Sequence, residues 1–193
     1  MPIHLRTTLL CALAATSLAA AAPAIAAPAT WVVDRAASSL GFKSSFSGMA
    51  FDGSFRRWNA EIAFDPKDLA DSKAVVTVET GTATAGDDSR DEAMPTGDWF
   101  DVAHFPKATF ATRSIKSLGG DRYDATADLT IRGVTKSIDL PFTLVITGDQ
   151  AKMTGEVVLD RSAFGVGQGE YASADTVPLN VTVVVSLTAN RAP

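Results

Sequence analysis

The chain has 193 residues, 46% of them apolar and 20% charged, the balance of one ordinary globular domain and not of a disordered chain. A total of 17 Lys and Arg against 22 Asp and Glu gives a net charge of −5, which argues against a surface built to neutralise nucleic-acid phosphates. One Cys and two His exclude a Cys-rich zinc site, an iron–sulfur cluster and a disulfide scaffold.

The first 26 residues have the layout of a secretory signal peptide: Arg6, then an apolar, acid-free run from Thr7 to Ala22, then the small-x-small triplet Ala24-Ile25-Ala26. Cleavage is expected after Ala26. The apolar run is shorter than the ~20 residues of a membrane span, which weighs against a retained anchor. Cys11 lies within that run and lacks the preceding small residue of a lipoprotein signal, so it is expected to leave with the leader. The remaining domain, 27–193, has no Cys and a single His, His104. Export to the periplasm or the medium follows, with no integral membrane span in the mature chain.

The first mature elements are short. Trp31-Val32-Val33 and Leu40 to Phe46 read as strands. From Met49 to Phe64, Phe51 and Phe55 share one parity, whereas Trp58, Ile62 and Phe64 share the other. A strand changes parity only at a bulge or bend, which is placed near Arg56-Arg57. Asp65-Pro66 marks a turn, and Ala74 to Thr80 the next strand. The period then breaks. Asp87-Asp88 heads a helix-compatible stretch from Ser89 to Met94, followed by Pro95 and an aromatic loop through Trp99 and Phe105. Acidic residues at the start of a helix satisfy its free amides and its dipole, so a helix of about two turns is expected to lie across one end of the fold.

Strict alternation returns after the loop. Ala108 to Ile115, Tyr123 to Ile131, Ile138 to Ile146, Met153 to Asp160 and Leu179 to Leu187 each carry one apolar face. Gly119-Gly120-Asp121, Arg132-Gly133 and Gly148-Asp149 separate them by links too short for parallel crossovers. The expected fold is all-β: a single antiparallel barrel of eight to ten strands with one or two short helices over a barrel end.

Catalytic arrangements are scarce. His104 stands in Asp101-Val102-Ala103-His104 without a nucleophile motif, and with Asp98 or Asp101 it forms only a weak metal set. Gly165-x-Gly167-x-Gly169 lacks the dinucleotide spacing and reads as a tight turn before the last strand. The chain is therefore read as a binding protein without enzymatic activity, cofactor or metal. Its aromatic residues are the unusual feature. Phe42, Phe46, Phe55, Trp58, Phe110, Phe142 and Phe164, with Trp99 and Phe105 at a mouth, would line an apolar pocket; an ordinary filled core gives the same periodicity. An anionic ligand end would need cations, because burying an unpaired charge is costly. Arg90, Arg132, Lys136 and Arg161 are the candidates. Arg90 stands first, against the alternative that it pairs with Asp91 or Asp98 to hold the lid.

Several separated motifs resemble the YceI-like family over nearly the whole mature chain. They include Trp31-Val32-Val33-Asp34, Ser38-Ser39-Leu40-Gly41-Phe42, Gly53-Ser54-Phe55, Arg90-Asp91 and Asp98-Trp99-Phe100-Asp101. Phe105-Pro106-x-Ala108-Thr109-Phe110, Ala127 to Lys136 and Arg161-x-x-Phe164-Gly165-Val166-Gly167 continue the match. Where relatives often carry His-Leu after the Arg-Asp pair, this chain has Ala93-Met94. The resemblance implies an extended, lipocalin-like barrel holding a long isoprenoid lipid of the polyprenyl phosphate or quinone type. The alternative is an accessory role in quinone-linked redox or stress responses, without a catalytic centre of its own. A homodimer stays open as a further partnership.

Overall fold

A computed structural model describes residues 27–193; the leader and its cleavage site lie outside the described residues. Eleven strands form one sheet: β1 (Thr30–Val33), β2 (Ser39–Phe46), β3 (Met49–Phe55), β4 (Trp58–Asp65), β5 (Asp68–Glu79), β6 (Ala83–Thr84), β7 (Lys107–Gly119), β8 (Arg122–Ile131), β9 (Val134–Thr147), β10 (Gln150–Asp160) and β11 (Asn180–Arg191). One helix, α1 (Asp88–Ala93), interrupts them. The ring β1-β4-β5-β7-β8-β9-β10-β11 closes through pairing of β1 with β11, giving an eight-stranded antiparallel barrel.

Three of its walls are broken strands. β11 pairs with β1 at Ala189 to Arg191 and with β2 at Thr182 to Ser186, so β1 and β2 run in line along one neighbour. The Asp34 carboxylate accepts the Ala36 and Ala37 amides at this break. The expected bend at Arg56-Arg57 separates β3 from β4, and a 3-10 turn at Thr80–Thr82 separates β5 from β6. The last two kinks are stitched together, with Arg56 N–H donating to Thr82 O and Glu79 N–H to Arg57 O. Beyond the kinks, β2, β3 and β6 continue as a flap above the closed ring.

The period-two pattern places the inward face. In β8, Tyr123, Ala125 and Ala127 are buried between outward Asp124, Thr126 and Asp128. Arg132 and Gly133 both adopt positive φ, 49° and 73°, the geometry of a tight two-residue hairpin whose twist matches the strands. One barrel end is closed by side chains. Trp31, Phe64, Ile115, Tyr123, Ala125, Ala151 and Ala189 form its buried cluster. Tyr123 meets Phe64 edge-on at 5.5 Å and stacks on Phe142 at 5.4 Å. The Trp31 indole N–H donates to Phe64 O at 3.0 Å.

Candidate functional site

The other barrel end is covered by two loops. The first runs from β6 to β7. Asp87 caps α1 by accepting the Arg90 amide at 3.1 Å, and Pro95 stands just beyond the helix end. The helix, six residues between caps Asp87 and Met94, has the expected place and about the expected length. Asp91 anchors it to the flap, accepting from the Thr84 hydroxyl at 2.5 Å and the Ala85 amide at 2.6 Å. Those two bonds, the hydroxyl first, hold the Asp91 carboxyl below the usual carboxylate range.

The second loop, between β10 and β11, is organised by Arg161. Only 5% of this residue is exposed. Its guanidinium donates to the carbonyls of Val166, Gly167, Ser173, Val177 and Pro178. Burial lowers its pKa, with Asp160 opposing the shift; the group stays charged. Gly167 has φ 79°, and a Cβ there would stand 2.0 Å from Arg161 Nη1, so only glycine lets the chain wrap the cation this closely. The two loops interlock. Gly167 and Gln168 N–H donate to Asp98 O, and Trp99 packs on Tyr171 at 5.0 Å.

Beneath this lid the barrel is hollow. A cavity of about 560 Å³ runs down its axis, within the range of small-ligand sites. Its wall is aliphatic and aromatic on every side, from Phe42 and Phe55 across to Leu129, Val157 and Val183. Polar side chains gather at the lid: Ser44, Asp87, Ser89, Arg90 and Arg161 line this region. Three buried polar atoms there, Ser44 Oγ, Arg90 Nε and Trp99 Nε1, have no hydrogen-bond partner among the described residues. Arg90 lies 4.7 Å from the Phe51 ring centroid and 3.8 Å from Asp87, with its side chain 30% exposed. A second apolar cavity of about 100 Å³ lies deeper, towards the closed end.

A long apolar tunnel with unpaired donors at one end is shaped for an amphiphile. The YceI-like domain pattern matches residues 31–189. The chain belongs to the YceI-like family. A UPF0312 protein of Vibrio parahaemolyticus is 36% identical over 171 residues, covering 82% of this chain and 90% of its own. The solved structure of Burkholderia cenocepacia BcnA superposes with a TM-score of 0.79 at 31% identity, covering 82% of this chain and 99% of that one. A polyisoprenoid binding domain from Saccharophagus degradans, implicated in plant cell wall breakdown, shares the fold at a TM-score of 0.68 and 17% identity, over 85% and 99% of the two chains.

This YceI-like chain brings together most of the residues singled out in its sequence. Phe42, Phe46, Phe55, Trp58, Trp99, Phe110 and Phe164 line the main cavity. Two aromatic residues stand elsewhere. Phe105 packs its ring on Gly133 at the β8–β9 turn, and Phe142 lines the deeper cavity against Tyr123. The four cations divide. Arg90 reaches the cavity with a free Nε. Arg161 also lines it, yet its donors are taken up by the loop it folds. Arg132 is spent on the lid, donating to Gly97 and Trp99 carbonyls, and exposed Lys136 does not line the cavity. Arg90 pairs weakly with Asp87, not with Asp91 or Asp98. His104 bonds Asp101 at 2.8 Å on the exposed lid surface, and no three metal-ligating side chains cluster among the described residues. Gly165, Gly167 and Gly169 all take positive φ in the turn that wraps Arg161.

Sequence reasoning missed Phe51, Phe100 and Tyr171 in the wall and Ser44 at the polar end. Phe51 shares parity with Phe55, which was signal enough. Phe100 and Tyr171 sit in loops, where no period reports direction.

Proposed function

We propose that this protein is an exported carrier that holds a long isoprenoid lipid inside its barrel and catalyses no reaction. The observation that carries the reading is the apolar cavity of about 560 Å³ with unpaired donors at its lid end. Burial of each methylene contributes up to ~0.8 kcal/mol, so an isoprenoid chain supplies ample driving force even after the cost of ordering it. The ligand head sits under the lid, where Arg90 Nε, Trp99 Nε1 and Ser44 Oγ donate to its oxygens. Polyprenyl phosphates and quinones both present such acceptors. The polyisoprenoid-binding relative supports this ligand class, and the signal-type sequence of residues 1–26 supports export to the periplasm or beyond. Among the described residues no helix is long and apolar enough to cross a membrane.

The test is organic extraction of protein expressed with its own leader and purified without detergent, followed by mass spectrometry. An isoprenoid recovered near one per chain is the expected result. Protein that emerges lipid-free, and binds no added isoprenoid, overturns the reading.

A further inference from the structure

The two cavities share one ring of side chains. Ile62 of β4, Ala74 of β5, Phe110 of β7, Leu140 of β9, Met153 of β10 and Leu187 of β11 line both. Six of the eight barrel strands thus contribute one residue each to a diaphragm across the axis. The deeper chamber exists because the layer beyond the ring is made small on three of the strands. Ala125 of β8, Ala151 of β10 and Ala189 of β11 are all buried and line it, and Ala151 lies directly opposite Ala189 in the ladder. Leucine at these positions would close the space. The chamber offers nothing to a polar group: the Thr112 hydroxyl is already engaged with the backbone of Ala74 at 2.8 Å. Its floor is the aromatic cluster of Trp31, Phe64 and Phe142.

We infer that the deeper chamber is a subsite for the terminal isoprene unit of the ligand's tail, and that the Ala125–Ala151–Ala189 layer sets the length of tail the barrel holds. The inference rests on the carrier reading above and adds the position of the tail end. A dry cavity of about 150 Å³ takes a six-carbon ring, so 100 Å³ has room for roughly four or five carbons, one isoprene unit, and 560 Å³ for roughly four units. The diaphragm is passable because Met153 is unbranched and bends out of the way at little cost. A tail of about five units fills both chambers with its head under the lid; longer tails push the head out through the mouth.

All-trans prenyl alcohols of three to six isoprene units, titrated into delipidated protein and followed by the fluorescence of Trp58 and Trp99, read this directly. Affinity is expected to rise by about tenfold per added unit up to five and then to level off. Ala151→Leu fills the chamber and is expected to move the plateau down by one unit while leaving the affinity for the three-unit alcohol unchanged. Met153→Ala opens the ring and is expected to favour the longer alcohols, so the paired variants shift in opposite senses even if one folds poorly. A plateau that stays put in both variants overturns the subsite and leaves the carrier reading standing. Failure of every prenyl alcohol to bind wild-type protein overturns both.

Discussion

The two ends of the barrel follow the same alternation and reach opposite results. At the closed end, inward side chains from facing walls touch: Phe64, Tyr123 and Phe142 form a continuous aromatic stack over Trp31. At the lid end, equally apolar Phe42, Val183 and Val157 stand side by side on β2, β11 and β10 and, with Leu129 of β8, line open space. The difference lies in the walls. Strands broken at 34–38, 56–57 and 80–82 carry β2, β3 and β6 away from the closed ring. The kinks divert these strands at the lid end, whereas at the closed end Ala125, Ala151 and Ala189 leave only the chamber of about 100 Å³. Loops then replace side chains as the means of closing the barrel. An apolar inward face is therefore compatible with either a core or a cavity, and backbone breaks decide between them.

Paired truncations test that contrast first. Tyr123→Ala removes a ring that packs on two others, and is expected to cost about 4 kcal/mol in urea unfolding. Val183→Ala faces existing space and is expected to cost under about 1 kcal/mol, because it enlarges a cavity and does not create one. Equal losses would break the distinction between the two ends. At the lid, Arg161→Met strips five carbonyls of their donor. A loss of about 3 kcal/mol is expected, with early proteolysis between residues 165 and 178 while the closed end stays protected from hydrogen exchange.

Smaller effects sharpen the role of the lid. Arg90→Gln is expected to weaken a polyprenyl phosphate about tenfold and a quinone of equal chain length far less, since only the phosphate carries charge for the guanidinium to meet. Equal loss of both would assign Arg90 to lid packing. The smallest effect concerns Asp91. Its folded pKa lies below the ordinary value of 3.8, so it stabilises the lid anchor above that value and the contribution fades as pH falls through the depressed one. Amide exchange along α1 is expected to accelerate under acid relative to β8, and Asp91→Asn to abolish the pH dependence. An unchanged pH response in the variant would contradict this anchor.

The sequence made the walls legible and left the interior dark. Parity in β8, β9, β10 and β11 picked out the inward face of each strand, because a strand's side chains alternate whatever the barrel's width, but inward Ala151 and Ala189 lie outside the expected strands Met153 to Asp160 and Leu179 to Leu187. The parity switch between Phe55 and Trp58 revealed the Arg56-Arg57 break for the same reason. Periodicity carries no information on how far apart facing walls stand, so Phe142 in the closed end and Phe110 beside the cavity looked alike. Loop residues were harder still. Arg161 and Arg90 are both arginines in the lid loops or at their edge, but one is consumed by backbone carbonyls and the other lines the cavity with an unpartnered Nε. Only tertiary placement separates them.

The most direct measurement is a crystal structure of the protein with a five-unit prenyl phosphate. The account predicts continuous ligand density from a head beside Arg90, past Phe55 and Val183, through the ring at Met153 to a tail end against Ala151. Side chains collapsed into the barrel axis, with the lipid bound on the outer surface or not at all, would contradict it.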